Sequence, residues 1–257
     1  MTSESPQVIL LGVPKKPNQP SPSGFCQKLE TFLRYSKISY ELRDTYPFNA
    51  PKGKVPYAEI THDSKTITIP DSHFIIQYLV ENGLIKNPDE LAGLTAAQRA
   101  ESRAFQAYVE ELLYPAIVYD RWSIDENYVV TAQETFGDAP WLVRSIMPWY
   151  FRWRVTGVLH AAGIGRHSPE EVHRLQREAF EALQVKYAEH EYFHGGKLPS
   201  RIDLTVYGFL ANILTTGGNP YFTNLVLKST VLTSFVKDMT RSLFPEYQDL
   251  LGKVESP

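Results

Sequence analysis

Val8-Ile9-Leu10-Leu11-Gly12-Val13, a proline-rich loop from Pro14 to Ser23, then Ser23-Gly24-Phe25-Cys26 at the head of an amphipathic run: this stretch decides the fold. The first six residues form a short, continuous apolar run and read as a buried strand. Phe25, Leu29, Phe32 and Leu33 recur at helical spacing, so a helix starts at about Gly24. The first N–H groups of such a helix have no partner within it. Together with the helix dipole they favour an anion at that corner.

Outward from this corner, strands and helices alternate. Tyr40-Glu41-Leu42-Arg43 reads as a strand. Tyr57–Ile60 and Thr66–Ile69 read as a hairpin around His62–Lys65, with Asp63-Ser64 supplying the turn. Asp71-Ser72 then opens a helix carrying Phe74, Ile75, Tyr78 and Leu79, which ends at Asn82-Gly83. A helix between strands implies a parallel pair, and the hairpin an antiparallel edge. The Gly, Asn, Pro and Asp of Gly83–Leu94 read as a linker.

Beyond the linker the pattern is helical. Thr95-Ala96-Ala97-Gln98 is a capping box that opens a long helix past Leu113. Ser168-Pro169-Glu170-Glu171 opens another through about Glu189. Ser200-Arg201-Ile202-Asp203 precedes the apolar run Leu204–Leu214, and Asn224–Ser242 reads as a last helix. The organisation is an α/β unit over residues 1–82, a linker over 83–94 and an all-helical domain over 95–257.

Composition narrows the function. The chain has 257 residues, 43% of them hydrophobic and 21% charged, which is the make-up of an ordinary soluble globular protein. A net charge of −3 without a basic stripe argues against nucleic-acid binding. The single cysteine excludes an internal disulfide and fits a reducing compartment. Met1–Pro6 is short and polar, unlike a signal peptide, and the tail from Leu250 is polar too. No apolar stretch reaches the length of a membrane span.

The strand, loop and helix with Ser-x-x-Cys resemble the active-site corner of the thioredoxin fold, where the helix N-terminus commonly holds a thiolate. A serine at the first cysteine's place implies that the thiolate belongs to a ligand. An α/β unit followed by helices is similar to the layout of glutathione transferases: a thioredoxin-like N-terminal domain and an all-α C-terminal domain. Lys54-Val55-Pro56-Tyr57 resembles that family's motif with a cis proline. By resemblance Val55 and Pro56 turn backbone groups toward the cysteinyl part of glutathione. Asp71-Ser72 matches the acidic-Ser pair that holds the γ-glutamyl end. Ser72 then binds the carboxylate at a helix N-terminus and Asp71 meets the ammonium. Phe25–Thr31, Ala50–Tyr57, Gly163–Ser168 and Ser200–Gly208 resemble the failed-axon-connections branch, related to metaxins.

The resemblance puts Ser23 where serine-type transferases place the catalytic hydroxyl, donating to the glutathione thiolate. Roughly 3% of an unperturbed thiol is ionised at pH 7, so ionisation alone is worth at most roughly thirtyfold. Ser23 also reads as a plain N-cap, and both roles are compatible. Ser21 is the neighbour that competes for the assignment. Cys26, one turn into the helix, reads as buried and inert, or else as the thiol of a glutathione-dependent reductase. Lys52 and Lys54 are candidates for the glycyl carboxylate, or solvated loop charges. Asn18 and Gln19 share the loop rim. Asp203 reads as a helix cap.

His190-Glu191-Tyr192-Phe193-His194 matches H-E-x-x-H, but Gly195-Gly196 follows where the helix must continue, so no metal is assigned. Tyr108, Tyr114, Tyr119, Trp122, Trp149, Tyr150 and Trp153 fall where transferases form the apolar second-substrate site; most read as core and two or three as pocket lining. The expected function is a cytoplasmic, homodimeric glutathione transferase that conjugates an apolar electrophile or reduces a peroxide. The alternative from another class is a non-catalytic adaptor of metaxin type; metaxins usually carry a C-terminal membrane anchor, which this sequence does not show.

Overall fold

The computed structural model describes residues 6–255. Residues 1–5 of the Met1–Pro6 stretch read as no signal peptide, and the last two residues of the polar tail, lie outside that range. Strand β1 (Gln7–Gly12) runs parallel to β2 (Tyr40–Asp44) and antiparallel to β3 (Tyr57–His62). Strand β4 (Lys65–Pro70) closes the hairpin, giving the order β2-β1-β3-β4. The turn residues Asp63 and Ser64 both adopt positive φ, as the hairpin chemistry requires. Helix α1 (Gly24–Tyr35) lies between β1 and β2, and α2 (Ser72–Glu81) follows β4 and ends on the cap Asn82. Val8, Leu10, Ala58 and Ile60 of the sheet and Leu29, Phe32, Leu33, Ile75 and Leu79 of the helices form one buried core.

The stretch read as a linker contains a short helix, α3 (Pro88–Leu91), capped by Asn87, whose proline at the first turn starts a helix readily. Helix α4 (Ala96–Ala107) opens on the expected Thr95–Gln98 capping box. It passes through a π-helical segment, Tyr108–Leu113, into α5 (Tyr114–Ser123). The wide turn precedes Pro115, which has no N–H to give to a regular ladder. Then come α6 (Asp125–Phe136), α7 (Trp141–Ala161), α8 (Pro169–Ala188) and α9 (Arg201–Thr215). The single last helix expected over Asn224–Ser242 is instead α10 (Pro220–Leu227) and α11 (Thr230–Leu243), broken where Ser229 caps the second; α12 (Gln248–Glu255) follows.

Helix α9 is buried along nearly its whole length and crosses α1. The crossing is close because residue 208 is glycine: a methyl group there would lie 2.7 Å from the Lys28 Cα. The cap of α9 is wholly internal. Asp203 accepts from Ser200 N (2.8 Å), Ser200 Oγ (2.6 Å), Phe193 N (2.8 Å) and Tyr187 OH (3.1 Å). The folding role expected of Asp203 is thus borne by four hydrogen bonds to one buried carboxylate.

Candidate functional site

The β1–β3 register pairs Leu11 with Tyr57, which brings Pro56 beside the end of β1, where the loop to α1 departs. The Val55–Pro56 peptide is cis. Pro56 O accepts from Asp71 N at 3.1 Å, so the two motifs read separately in the sequence are joined by one hydrogen bond. Asp71 sits at φ +81, a conformation that non-glycine residues adopt rarely and at functional sites more than elsewhere. Its exposed carboxylate accepts from His73 N at 2.8 Å and caps α2.

Ser72 is only 1% exposed, and its Oγ has no hydrogen-bond partner. A buried hydroxyl without a partner costs roughly 1–3 kcal/mol. It lies at the N-terminus of a ten-residue helix, where N–H groups and dipole favour an anion. Burial pushes the His73 imidazole below its ordinary pKa; the charges of Lys28, Arg103 and Arg201 push it further and that of Glu110 opposes them. A helix N-terminus beside one exposed carboxylate is complementary in charge to a zwitterion. Lys52 Nζ lies 5.0 Å above the ring of Phe74, on the first turn of α2, which brings Lys52 to the same rim. Lys54 is an exposed residue of the loop before Pro56.

At the head of α1, Ser23 is the N-cap, its Oγ accepting from Cys26 N at a long 3.4 Å. That bond uses a lone pair, and the half-buried hydroxyl keeps its proton to donate. Ser21 is buried and anchors the loop. Its Oγ accepts from Ser23 N (3.3 Å), its N–H donates to Gln27 Oε1 (2.8 Å), and its carbonyl accepts from Asn212 Nδ2 (2.7 Å). Gln19 Nε2 is bound to Asp249 (3.0 Å), while Asn18 is an exposed turn residue at positive φ. Cys26 is buried beneath Gly12, and burial pushes its thiol up to about 11. At neutral pH the thiol therefore stays protonated. Cys26 therefore stays unmodified by a disulfide reagent at pH 7.5 in the native protein and reacts fully in denaturant; rapid native-state titration would restore a redox role to it.

Three features escaped the sequence reading. Tyr114 OH accepts from Gly24 N at 3.3 Å, and its ring packs edge-on against Phe25 with centroids 5.2 Å apart. Tyr114 is one of the expected pocket aromatics; Trp149, Tyr150 and Trp153 are exposed on α7. Lys28 on α1 donates to Glu110 of the π-helical segment at 2.6 Å, and both are buried. Glu110 also accepts from Gln106 at 2.8 Å. The buried Arg121 binds Asn219 (2.7 Å), Asn212 (2.9 Å) and Thr216 (2.7 Å), which fixes the Asn212 that holds Ser21. His190 lies beyond the end of α8, and His194 Nε2 is 2.7 Å from Ser102 Oγ, so the H-E-x-x-H residues share no helical face.

Family models of the glutathione S-transferase N-terminal and C-terminal domains match residues 24–127 and 176–239. Failed axon connections of Drosophila melanogaster is 28% identical across 96% of this chain and 60% of its own length, so the chain spans about three-fifths of that protein. Metaxin-2 of Homo sapiens is 25% identical across 73% of this chain and 69% of its own. Among solved structures, glutathione transferase F7 from Populus trichocarpa superposes with a TM-score of 0.57 at 13% identity, covering 96% of this chain and 99% of its own, a likeness of fold.

Proposed function

The chain belongs to the glutathione S-transferase family, with failed axon connections and the metaxins among its relatives, and on that premise we propose that it binds reduced glutathione and conjugates it to an apolar electrophile or uses it to reduce a peroxide. The observation that carries this reading is the buried Ser72 hydroxyl, unpartnered at the head of α2 beside Asp71. A γ-glutamyl group supplies both charges that this corner lacks. Ser72 takes its carboxylate, Asp71 its ammonium, and Val55 pairs with the cysteinyl backbone. Lys52, with Lys54 nearby, meets the glycyl carboxylate. Ser23 then donates its proton in a hydrogen bond to the sulfur and favours the thiolate over the thiol. The reading also carries a homodimer and a cytoplasmic site of action.

Ser23→Ala tests the step. A thiol pKa lowered by about two units is worth roughly thirtyfold in thiolate at neutral pH. The variant's conjugation rate with a chlorodinitrobenzene probe falls by about that factor, glutathione affinity changes little, and the residual rate recovers as pH rises toward the free-thiol pKa. A variant with the wild-type rate and pH profile refutes the role of Ser23.

One observation favours a non-catalytic adaptor of metaxin type as a second reading. The N–H groups of Ser23, Gly24 and Cys26 are already taken by Ser21, Tyr114 and Ser23 within the chain. An α1 corner satisfied in this way has fewer free donors for a thiolate. Glutathione binding without conjugation or peroxide reduction selects that reading.

A further inference from the structure

We infer that Asp120, His173 and Gln176 form a binding site for one divalent transition-metal ion of the zinc type, held between α5 and α8. The three side chains carry four buried polar atoms without a hydrogen bond: both carboxylate oxygens of Asp120, Nε2 of His173 and Oε1 of Gln176. Asp120 and Gln176 are wholly buried. Such atoms are rare inside folded proteins, and a buried carboxylate is costly unless something compensates it.

Their placement brings the three together. His173 and Gln176 are one turn apart on α8 and share a face. Gln176 Nε2 donates to Ala116 O (3.0 Å), and Ala116 stands one turn before Asp120 on α5. His173 Nε2 is 3.3 Å from Asp120 Oδ1. A charge-assisted bond from imidazolium to carboxylate is shorter, about 2.7–2.9 Å. Two ligands on one tetrahedral ion, with bonds of about 2.0–2.1 Å, stand about 3.3–3.4 Å apart. The Tyr221 ring of α10 stacks on the imidazole, centroids 4.0 Å apart, and fixes its plane. Burial pushes the Asp120 carboxyl above its ordinary range, and Gln176 and His173 beside it act against that shift. The neighbouring arginines are bound elsewhere: Arg121 to Asn212, Asn219 and Thr216, and Arg177 to Tyr221 OH at 2.9 Å.

The donor set selects the ion. One imidazole nitrogen with carboxylate and amide oxygens suits zinc, cobalt or manganese, whereas calcium and magnesium take oxygen ligands. No three histidine, cysteine, aspartate or glutamate side chains cluster as a metal site among the described residues, so the Gln176 oxygen is the third protein donor and water completes the set. The His173 side chain is 29% exposed, which opens that last position to solvent. An ion bound there ties α5 to α8. The proposed glutathione site uses none of these residues, so the two readings stand or fall separately.

Zinc titrated into chelator-stripped protein against a chromophoric competitor tests this. One equivalent is expected to bind, and free zinc at about a hundredfold its Kd raises the melting temperature by about 5–10 °C. Asp120→Asn keeps the side chain's shape, and His173→Phe keeps the stack on Tyr221. Each weakens binding by more than about a hundredfold. Cobalt(II) in the wild type gives the visible absorption of a low-coordinate site, which both variants lose. Zinc binding that is unchanged in both variants belongs to surface histidines and overturns the proposal. So does the absence of a stoichiometric equivalent in excess zinc. A His173 ring that stays doubly protonated at pH 7.5 with zinc present, read from its nitrogen NMR shifts, also overturns it and makes the contact with Asp120 a plain ion pair.

Discussion

Lys28→Met lowers the free energy of unfolding by about 3–5 kcal/mol, the cost of leaving one partner of a buried ion pair behind. Lys28 and Glu110 have side-chain exposures of 1% and 9%, and their bond crosses from the first helix of the α/β unit to the π-helical segment of the next. Burial pushes the Lys28 amine below its ordinary pKa, and the Glu110 charge opposes that shift. Without Lys28, Glu110 keeps only Gln106 as a hydrogen-bond partner. Lys28→Met together with Glu110→Leu removes both charges and recovers most of the loss, because a well-packed apolar pair replaces a buried ion pair at little net cost. Urea unfolding of wild type, single and double variants measures this. A single variant that loses less than about 1 kcal/mol places the pair in contact with solvent and contradicts its burial.

Ser72→Ala separates binding from stability in the opposite sense. Its hydroxyl has no partner within the chain, so its removal leaves the free protein as stable as wild type or slightly more so. The same change weakens glutathione binding about tenfold or more, since a hydrogen bond to a charged group is worth roughly 1.5–3 kcal/mol. Asp71→Ala weakens it by about ten- to a hundredfold through loss of the ammonium contact. Its stability cost is that of an exposed N-cap, about 1 kcal/mol. Calorimetric titration and thermal melts of the same samples check both effects. A Ser72→Ala protein that melts several degrees lower and still binds glutathione as wild type makes Ser72 a structural residue.

The parts of the fold legible in the sequence are those set by local chemistry. Ser23, Thr95 and Ser168 cap the helices their motifs announce, and Asp63-Ser64 turns the hairpin. The acidic-Ser pair and Val55-Pro56 were legible as separate motifs, and only the structure joins them, through Asp71 N and Pro56 O. What was not legible depends on partners distant in sequence. A lysine at position 28 reads as solvated unless Glu110 is known to face it, and Ser21 competes with Ser23 for the catalytic hydroxyl until Asn212, 191 positions away, is seen to bind its carbonyl. Tyr114 belonged to a list of aromatics that nothing in the sequence ranked, until its hydroxyl met Gly24 N. Trp149 and Trp153 of α7 read as core or pocket lining yet are exposed, because periodicity gives a helix its faces and not their direction. The H-E-x-x-H match failed for a local reason that was legible, the glycines that follow it.

Calorimetric titration of the wild-type protein and Asp71→Ala with reduced glutathione at neutral pH tests the glutathione site most directly. The account predicts binding in the micromolar to low-millimolar range for wild type, weakened about ten- to a hundredfold in the variant. A folded wild-type protein that gives no binding heat with several millimolar glutathione, or a variant that binds as well as wild type, contradicts it.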